Sequence, residues 1–186
     1  MATKASGEIQ TVPAQKTGVE QEGKSMMYYK ILNVDGTACH GGAGQWALPV
    51  GDEPGAWMPV VNDPVPCERG YHLCREGDLV VWLGPTIWEA EIKEGAVVVE
   101  ADDKVVVSAA RLVRRVETWT ETTARLFSGD CAERSLPLFE RAWPDDHRPR
   151  KAIDAARAFA RGEITAAARD AAGDAAWDAA ARAAGA

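Results

Sequence analysis

The sequence predicts an α+β protein, in which a small, mostly antiparallel β module precedes a C-terminal helical segment. Between residues 26 and 117, short runs of β-branched residues alternate with turn signals, as in a meander of strands. Beyond residue 118 the apolar residues recur at helical spacing, and the chain ends in an alanine-rich stretch. Alanine has the highest helix propensity of all residues. Residues 118–186 are therefore expected to be C-terminal helices.

A polar segment comes before the β module. Residues 1–25 contain scattered Gly, Lys, Glu and Gln and almost no aromatic side chains. Such a segment buries too little apolar surface to offset the entropy lost on ordering. We predict a flexible N-terminal arm, and a docking peptide that a partner orders is the alternative.

The β module, residues 26–117, is expected to begin with the apolar run at 26–34, which a turn at Asp35-Gly36 ends. A long loop rich in Gly and Pro should follow over residues 40–66, pinned by the indoles of Trp46 and Trp57. The remaining strands are predicted at 79–83, 87–92, 96–100, 104–108 and from 111 to about 116.

Four helices are predicted, at 120–127, 131–143, 149–162 and 163–186. Ser128-Gly129-Asp130 has the composition of a capping signal between the first two. Pro137 predicts a kink in the second helix. Asp146 is expected to cap the third helix, with Pro149 in its first turn and Gly162 at its end.

Composition excludes some functions. The formal charge is −7 and the pI is near 5.0, which is unfavourable for binding a nucleic-acid backbone. No apolar run of about 18 residues predicts a membrane span, and the N-terminus lacks the apolar core of a secretory signal. We therefore expect a cytoplasmic protein of a bacterium or infected host cell with reduced thiols, or alternatively a virion component.

The stretch "CERGYHLC", from Cys67 to Cys74, raises the question of a metal site. Zinc prefers thiolate and imidazole ligands, but its usual ligand pairs are separated by two to four residues, whereas six separate these cysteines. Cys39 with His40 or His72 would have to complete the site. We predict no metal and no cofactor; zinc held by these residues is the disfavoured alternative.

The preferred interpretation of this stretch is structural. Cys67 and Cys74 are expected to be small buried residues that flank a turn at Arg69-Gly70. Tyr71 and Leu73 would then point to one face of a strand, and His72 and Cys74 to the other. A reactive thiol or a catalytic His72 is the remaining alternative. The glycine-rich "HGGAG" at 40–44 lacks the Lys-Ser/Thr of a phosphate-binding loop and is expected to be a flexible loop.

The charged stretch "PDDHRPRK" at 144–151 lies at a predicted corner between helices. Its functional interpretation is a recognition edge, and its structural one is local capping with the arginines paired around the carboxylates. The candidate partner-binding residues are Asp145, Asp146, His147, Arg148 and Arg150, together with Trp177 on the last helix. No catalytic residue is assigned.

Two resemblances rest on particular motifs. "CERGYHLC", after "DGTACHGG" and before "WEAEIKEG", resembles a phage-encoded domain family of unknown function with a C-E-x-G-F-H-x-C motif, over about residues 28–117. Here Tyr71 replaces the usual Phe. "DCAERSLPLFERAWPDDHRPRKAIDAARAFARGEI", at 130–164, is similar to the helical immunity-protein-five-like families of bacterial toxin systems. That second resemblance implies non-covalent protein binding and no catalysis.

These observations favour a non-enzymatic phage or mobile-element accessory protein that binds another protein through its helical part. Self-association is a further option, and neither nucleic acid nor membrane is an expected partner. One alternative is a structural or decoration protein of a virus particle. The other is a small enzyme of the β module that uses His72, whose imidazole titrates near neutral pH.

Overall fold

A computed structural model describes residues 27–42 and 44–184 and confirms the α+β class. The predicted arm, 1–25, lies outside these residues. The described strands are β1 (Tyr28–Leu32), β2 (Tyr71–Arg75), β3 (Thr86–Ile92), β4 (Val98–Ala101), β5 (Lys104–Val107) and β6 (Ala110–Arg115). The helices are α1 (Leu79–Trp82), α2 (Glu121–Ala142), α3 (Arg148–Ala160) and α4 (Ala166–Ala184).

The six strands form one sheet in the order β4-β5-β2-β1-β3-β6, and every neighbouring pair is antiparallel. Only Ser108 and Ala109 separate β5 from β6, although these strands are second and sixth in the order. In a flat sheet they would lie about 19 Å apart. Two linking residues span at most about 11 Å between the strand ends. The sheet must therefore curl towards a barrel.

The inner face of the curled sheet holds the main core. Leu32, Leu73 and Leu112 are fully buried there with Val105 and Val107 of β5, and Trp46 and Trp88 fill the space between them. The burial of Trp46 confirms that this indole pins the loop. A smaller cluster around Ile31, Cys74 and Ile87 lies on the outer face, beneath α1 and Trp119. The alternation of strand residues thus supplies two separate apolar layers.

The otherwise free edge of β6 is covered by the irregular segment at 55–61. The N–H groups of Gly55, Met58 and Val61 donate to the carbonyls of Leu112, Ala110 and Ser108 at 2.9, 2.9 and 2.8 Å. Such cover protects an edge strand from pairing with another chain. These three hydrogen bonds also explain why a segment rich in Gly and Pro is ordered.

One predicted strand is wrong. The run at 79–83 forms the single helical turn α1 after a short 3-10 helix (Glu76–Asp78), despite its β-branched residues. The Asp78 carboxylate accepts from the Arg75 backbone N–H at 3.2 Å and from Arg75 Nε at 2.7 Å, which stabilises the turn. The Trp82 indole N–H donates to the Asp103 carbonyl at 2.9 Å. These tertiary contacts override the local β propensity.

The predicted break at Ser128-Gly129-Asp130 is also wrong, because α2 runs continuously through it. Ser128 Oγ donates to the Ala124 carbonyl at 3.0 Å, as a hydroxyl inside a helix can. Gly129 is buried, and a β-carbon there would lie 3.3 Å from Arg157 Cγ of α3. Glycine marks a close helix approach here, and Pro137 lies inside the same helix. The cap of α2 is Thr120, whose hydroxyl accepts from the Thr123 N–H.

In the helical segment, α3 packs against both α2 and α4. The Phe159 ring of α3 lies between two guanidinium groups, Arg125 of α2 at 4.6 Å and Arg169 of α4 at 4.5 Å. The buried apolar residues of this segment are few: Leu136, Ile153, Ala160 and Ala179. Gly162 has a φ of +74° directly after α3 and ends it, as predicted. None of the helices at 27–42 and 44–184 has the length and apolarity that a membrane span requires.

Candidate functional site

The corner between α2 and α3 is built by backbone hydrogen bonds. The Trp143 N–H donates to the Phe139 carbonyl at 2.9 Å, and the Asp146 N–H donates to the Trp143 carbonyl at 3.1 Å. An open depression of about 540 Å³ lies on this corner. Its lining runs from Ala142 to Arg148 and includes Lys151.

Asp146 organises the start of α3. Its carboxylate accepts from the Arg148 N–H at 3.1 Å and from Arg148 Nε at 2.8 Å, so the predicted capping carboxylate does satisfy a first-turn N–H. His147 occupies the formal N-cap position but makes no capping bond through its side chain. The hydrogen bond to Asp146 raises the pKa of Arg148, and the negative charges of Asp146 and Asp178 add to this effect against the opposing desolvation.

Arg150 joins the two helices at the corner. Its guanidinium makes a two-pronged contact with the Glu140 carboxylate of α2, with both N–O distances at 2.8 Å. About two helical turns further along α3, Arg157 donates to Asp130 and Glu133 of α2. Arg157 was not predicted from the sequence, because its partners lie 24 and 27 residues away and no local spacing connects them.

The five predicted partner-binding residues of the corner therefore divide into two groups. Asp146, Arg148 and Arg150 have intramolecular partners, as the capping interpretation expects. Asp145 and His147 are exposed, and neither side chain makes a hydrogen bond or ion pair with the described residues. The charged corner thus offers one free carboxylate and one free imidazole.

Trp177 lies on α4 with 77% of its surface exposed. Its neighbour Asp178 acts electrostatically on Arg148, which places this part of α4 near the corner. At the C-terminal end of α2, Leu138 is also exposed, at 65%, as is Trp143, which directly follows the helix, at 41%. Neither was predicted to bind a partner, because apolar residues in a helix are equally typical of a core-facing stripe.

The cysteine motif forms a braced turn. The Val65 N–H donates to the Arg69 carbonyl at 2.7 Å, and the Cys67 N–H donates to His72 Nε2 at 2.8 Å. Nε2 is therefore an acceptor, which makes His72 the neutral imidazole. Burial lowers the pKa of His72, and the charges of Lys30 and Lys104 lower it further. His72 has a structural role in this turn.

The alternation predicted for β2 is confirmed, because Tyr71 and Leu73 pack into the main core and Cys74 into the outer cluster. Burial raises the pKa of the Cys74 thiol to about 11. Cys67, in contrast, is exposed, so the prediction that it is buried is wrong; its φ of +64° belongs to the turn. Within the described residues, no three His, Cys, Asp or Glu side chains are grouped so as to hold a metal ion.

Comparison with known proteins found one match, and it covers the helical part. A family model described as "Imm-5 like putative immunity protein" matches residues 114–185. The helical segment is therefore immunity-protein-like, and the resemblance expected over 130–164 is confirmed and extended at both ends. No curated protein matches the chain, and no solved structure matches it either.

Proposed function

We propose that this is a non-enzymatic, immunity-like accessory protein of a phage or mobile element, which binds another protein through its helical part in the bacterial cytoplasm. The match of residues 114–185 to an immunity-protein family supports the immunity-like role. Immunity implies the control of another protein, and non-covalent binding is the simplest way for a helical surface without a catalytic group to do so.

The exposure of Trp177 is the observation that carries the proposed binding surface. Tryptophan is among the residues most enriched at the energetic centres of protein interfaces. An indole with 77% of its surface in water gains free energy when a partner covers it. Trp143 and Leu138 add exposed apolar area at the C-terminal end of α2.

The charge of the helical part indicates which groups the partner surface should contain. Residues 118–186 contain eleven acidic and ten basic residues, so nearly all of the net charge of −7 lies in residues 1–117. Recognition by the helical part then depends on local complementarity and not on a general field. We propose a partner with an apolar pocket for Trp177 and a cationic side chain for Asp145, with His147 beside that carboxylate.

The experiment is affinity purification of the full chain from a bacterial host lysate, followed by native mass spectrometry and quantitative binding to the partner so identified. Trp177→Ala is expected to weaken binding at least tenfold, which corresponds to about 1.4 kcal/mol or more. Val50→Ala is the matched control, because Val50 is 81% exposed in the β module. Circular dichroism verifies that both variants remain folded.

Three outcomes would contradict this proposal. Equal affinities for the wild type, Trp177→Ala, Asp145→Ala and His147→Ala would exclude the surface. A self-assembled species that sediments with virus particles would favour the structural alternative. Loss of the biological effect in His72→Ala, with the fold and the partner affinity retained, would favour the enzymatic one.

A further inference from the structure

A cleft opens in the β module where β1 and β2 separate. The two strands pair at Tyr28 with Arg75 and at Tyr29 with Cys74, and their pairing ends there. β1 nevertheless continues along β3 as far as Leu32. The resulting cleft has a volume of about 500 Å³, and it lies outside the helical segment.

Lys30 is the first residue of β1 beyond the last pair, and its side chain lies in the cleft. Its ammonium donates to the His72 carbonyl at 3.1 Å, so a backbone group near the point where the strands separate has a partner. The same ammonium lies 5.4 Å from the Trp46 ring centre. No carboxylate of the described residues forms an ion pair with it. Desolvation by burial lowers the pKa of this lysine.

An ammonium group has three N–H donors, and the Lys30 group uses one of them. A buried charge without a counter-charge is costly, and an anion that enters the cleft would remove that cost. The chain therefore contains an incomplete ion pair that is open to a ligand.

Lys104 brings a second ammonium to the same cleft. It lies 3.1 Å from the Asp103 carboxylate and 4.6 Å from the Trp82 ring centre. The charges of both lysines lower the pKa of His72, which also lines the cleft. Among the described residues of the lining, the one carboxylate is that of Glu68, which is exposed. Within the part of the chain that the structure describes, no carboxylate thus compensates the positive charge of Lys30.

The remaining walls are apolar and aromatic. The Trp46 and Tyr71 rings meet edge to face, with their centres 5.3 Å apart, and both line the cleft with Met58. Gly41 lies on the rim with a φ of +78°, and a β-carbon added there would meet nothing within 4 Å. The rim therefore leaves room for a ligand with an apolar body.

We propose that this cleft binds a small organic anion, a phosphate or carboxylate that carries a planar ring. The anionic group would contact the Lys30 ammonium, with Lys104 adding to its attraction. The ring would lie along Trp46 and Tyr71.

Isothermal titration calorimetry of the full chain tests this with phenyl phosphate and benzoate as the two anion types, and with inorganic phosphate and phenol as the separate halves of the first probe. We expect at least one of the ring-bearing anions to bind more tightly than either half. Lys30→Met should weaken that binding at least tenfold. Lys93→Met is the matched control, because Lys93 lies 6.0 Å from the Trp57 ring centre and outside the cleft lining.

The proposal is overturned if neither ring-bearing anion binds saturably, or if Lys30→Met and Lys93→Met bind equally well. A second measurement uses only the wild-type chain, in case Lys30→Met fails to fold. Its indole N–H signals are followed by NMR during titration, and the Trp46 signal should shift while the Trp57 signal stays in place. Binding that leaves Trp46 unmoved would place the ligand elsewhere and contradict the proposal.

Discussion

The β module and the helical segment are stabilised in different ways. The curled sheet encloses a continuous core in which Leu32, Leu73 and Leu112 are withdrawn from water completely. The three long helices bury only a few apolar side chains, and ion pairs and arginine–aromatic contacts join them. Large apolar residues such as Trp177 remain outside.

This difference suggests how the two parts are used. A sheet that encloses a continuous core can also form a cleft between its strands, as where β1 and β2 separate. A helical segment with a thin core and exposed indoles has surface left for a partner to cover. The comparison makes the following predictions.

The largest contrast is between two leucines. Leu112→Ala should lower the free energy of unfolding by about 3 kcal/mol, because it leaves a cavity in the sheet core. Leu138→Ala should change it by less than about 0.5 kcal/mol, because Leu138 is 65% exposed on α2. Chemical denaturation followed by circular dichroism measures both. Equal losses would mean that the two regions do not differ as described.

A substitution in the turn of the cysteine motif should destabilise the protein almost as much as Leu112→Ala. Gly70 has a φ of +116°, and a β-carbon there would lie 2.8 Å from Val106 Cγ1 and 2.9 Å from Pro64 Cβ. Gly70→Ala should therefore cost about 2 kcal/mol through backbone strain and overpacking. Gly77→Ala is the control, since a β-carbon at Gly77 would meet nothing within 4 Å. Denaturation midpoints that match for the two variants would contradict this account.

Loss of an ion pair between the helices should lower stability more than truncation of an exposed side chain, but less than truncation of a residue in the sheet core. Arg157→Met removes the contacts with Asp130 and Glu133 that join α3 to α2. We expect a lower thermal midpoint for the helical segment and a smaller difference from wild type at high salt, because salt screens exposed charges. Arg161→Met, which loses only a contact with nearby Glu163, should change the midpoint less. A salt-independent effect would assign the role of Arg157 to packing alone.

The smallest expected effect is a pH dependence within the β module. The pKa of folded His72 lies below its ordinary value of 6.5, chiefly because of burial. The unfolded chain therefore binds a proton more readily, and stability should fall as the pH drops from about 6.5 through the folded pKa. Proton NMR titration of His72 and denaturation at several pH values check this. A His72→Asn variant should lose this part of the pH dependence, and an unchanged slope would exclude His72 as its source.

The sequence analysis succeeded where local pattern and tertiary structure favour the same outcome. The alternation along β2 placed Tyr71, Leu73 and Cys74 on their correct faces, and Gly162 ended α3 because a positive φ is easy for glycine. The composition of 79–83 favoured a strand, but the contacts of Arg75 and Trp82 stabilise a helical turn there. Gly129 was similarly expected to break a helix, and it instead lies at a close approach of α2 to α3.

The sequence by itself determined the α+β class, the immunity-like character of the helical part and the strand faces of Tyr71, Leu73 and Cys74. These properties follow from periodicity, propensity and motif, which are local along the chain. The tertiary structure alone decided that the sheet curls, that α2 is continuous, and that Lys30 lies in a cleft with Lys104. Those outcomes depend on pairings between residues far apart in sequence, such as Lys30 and His72, whose mutual distance no local pattern encodes.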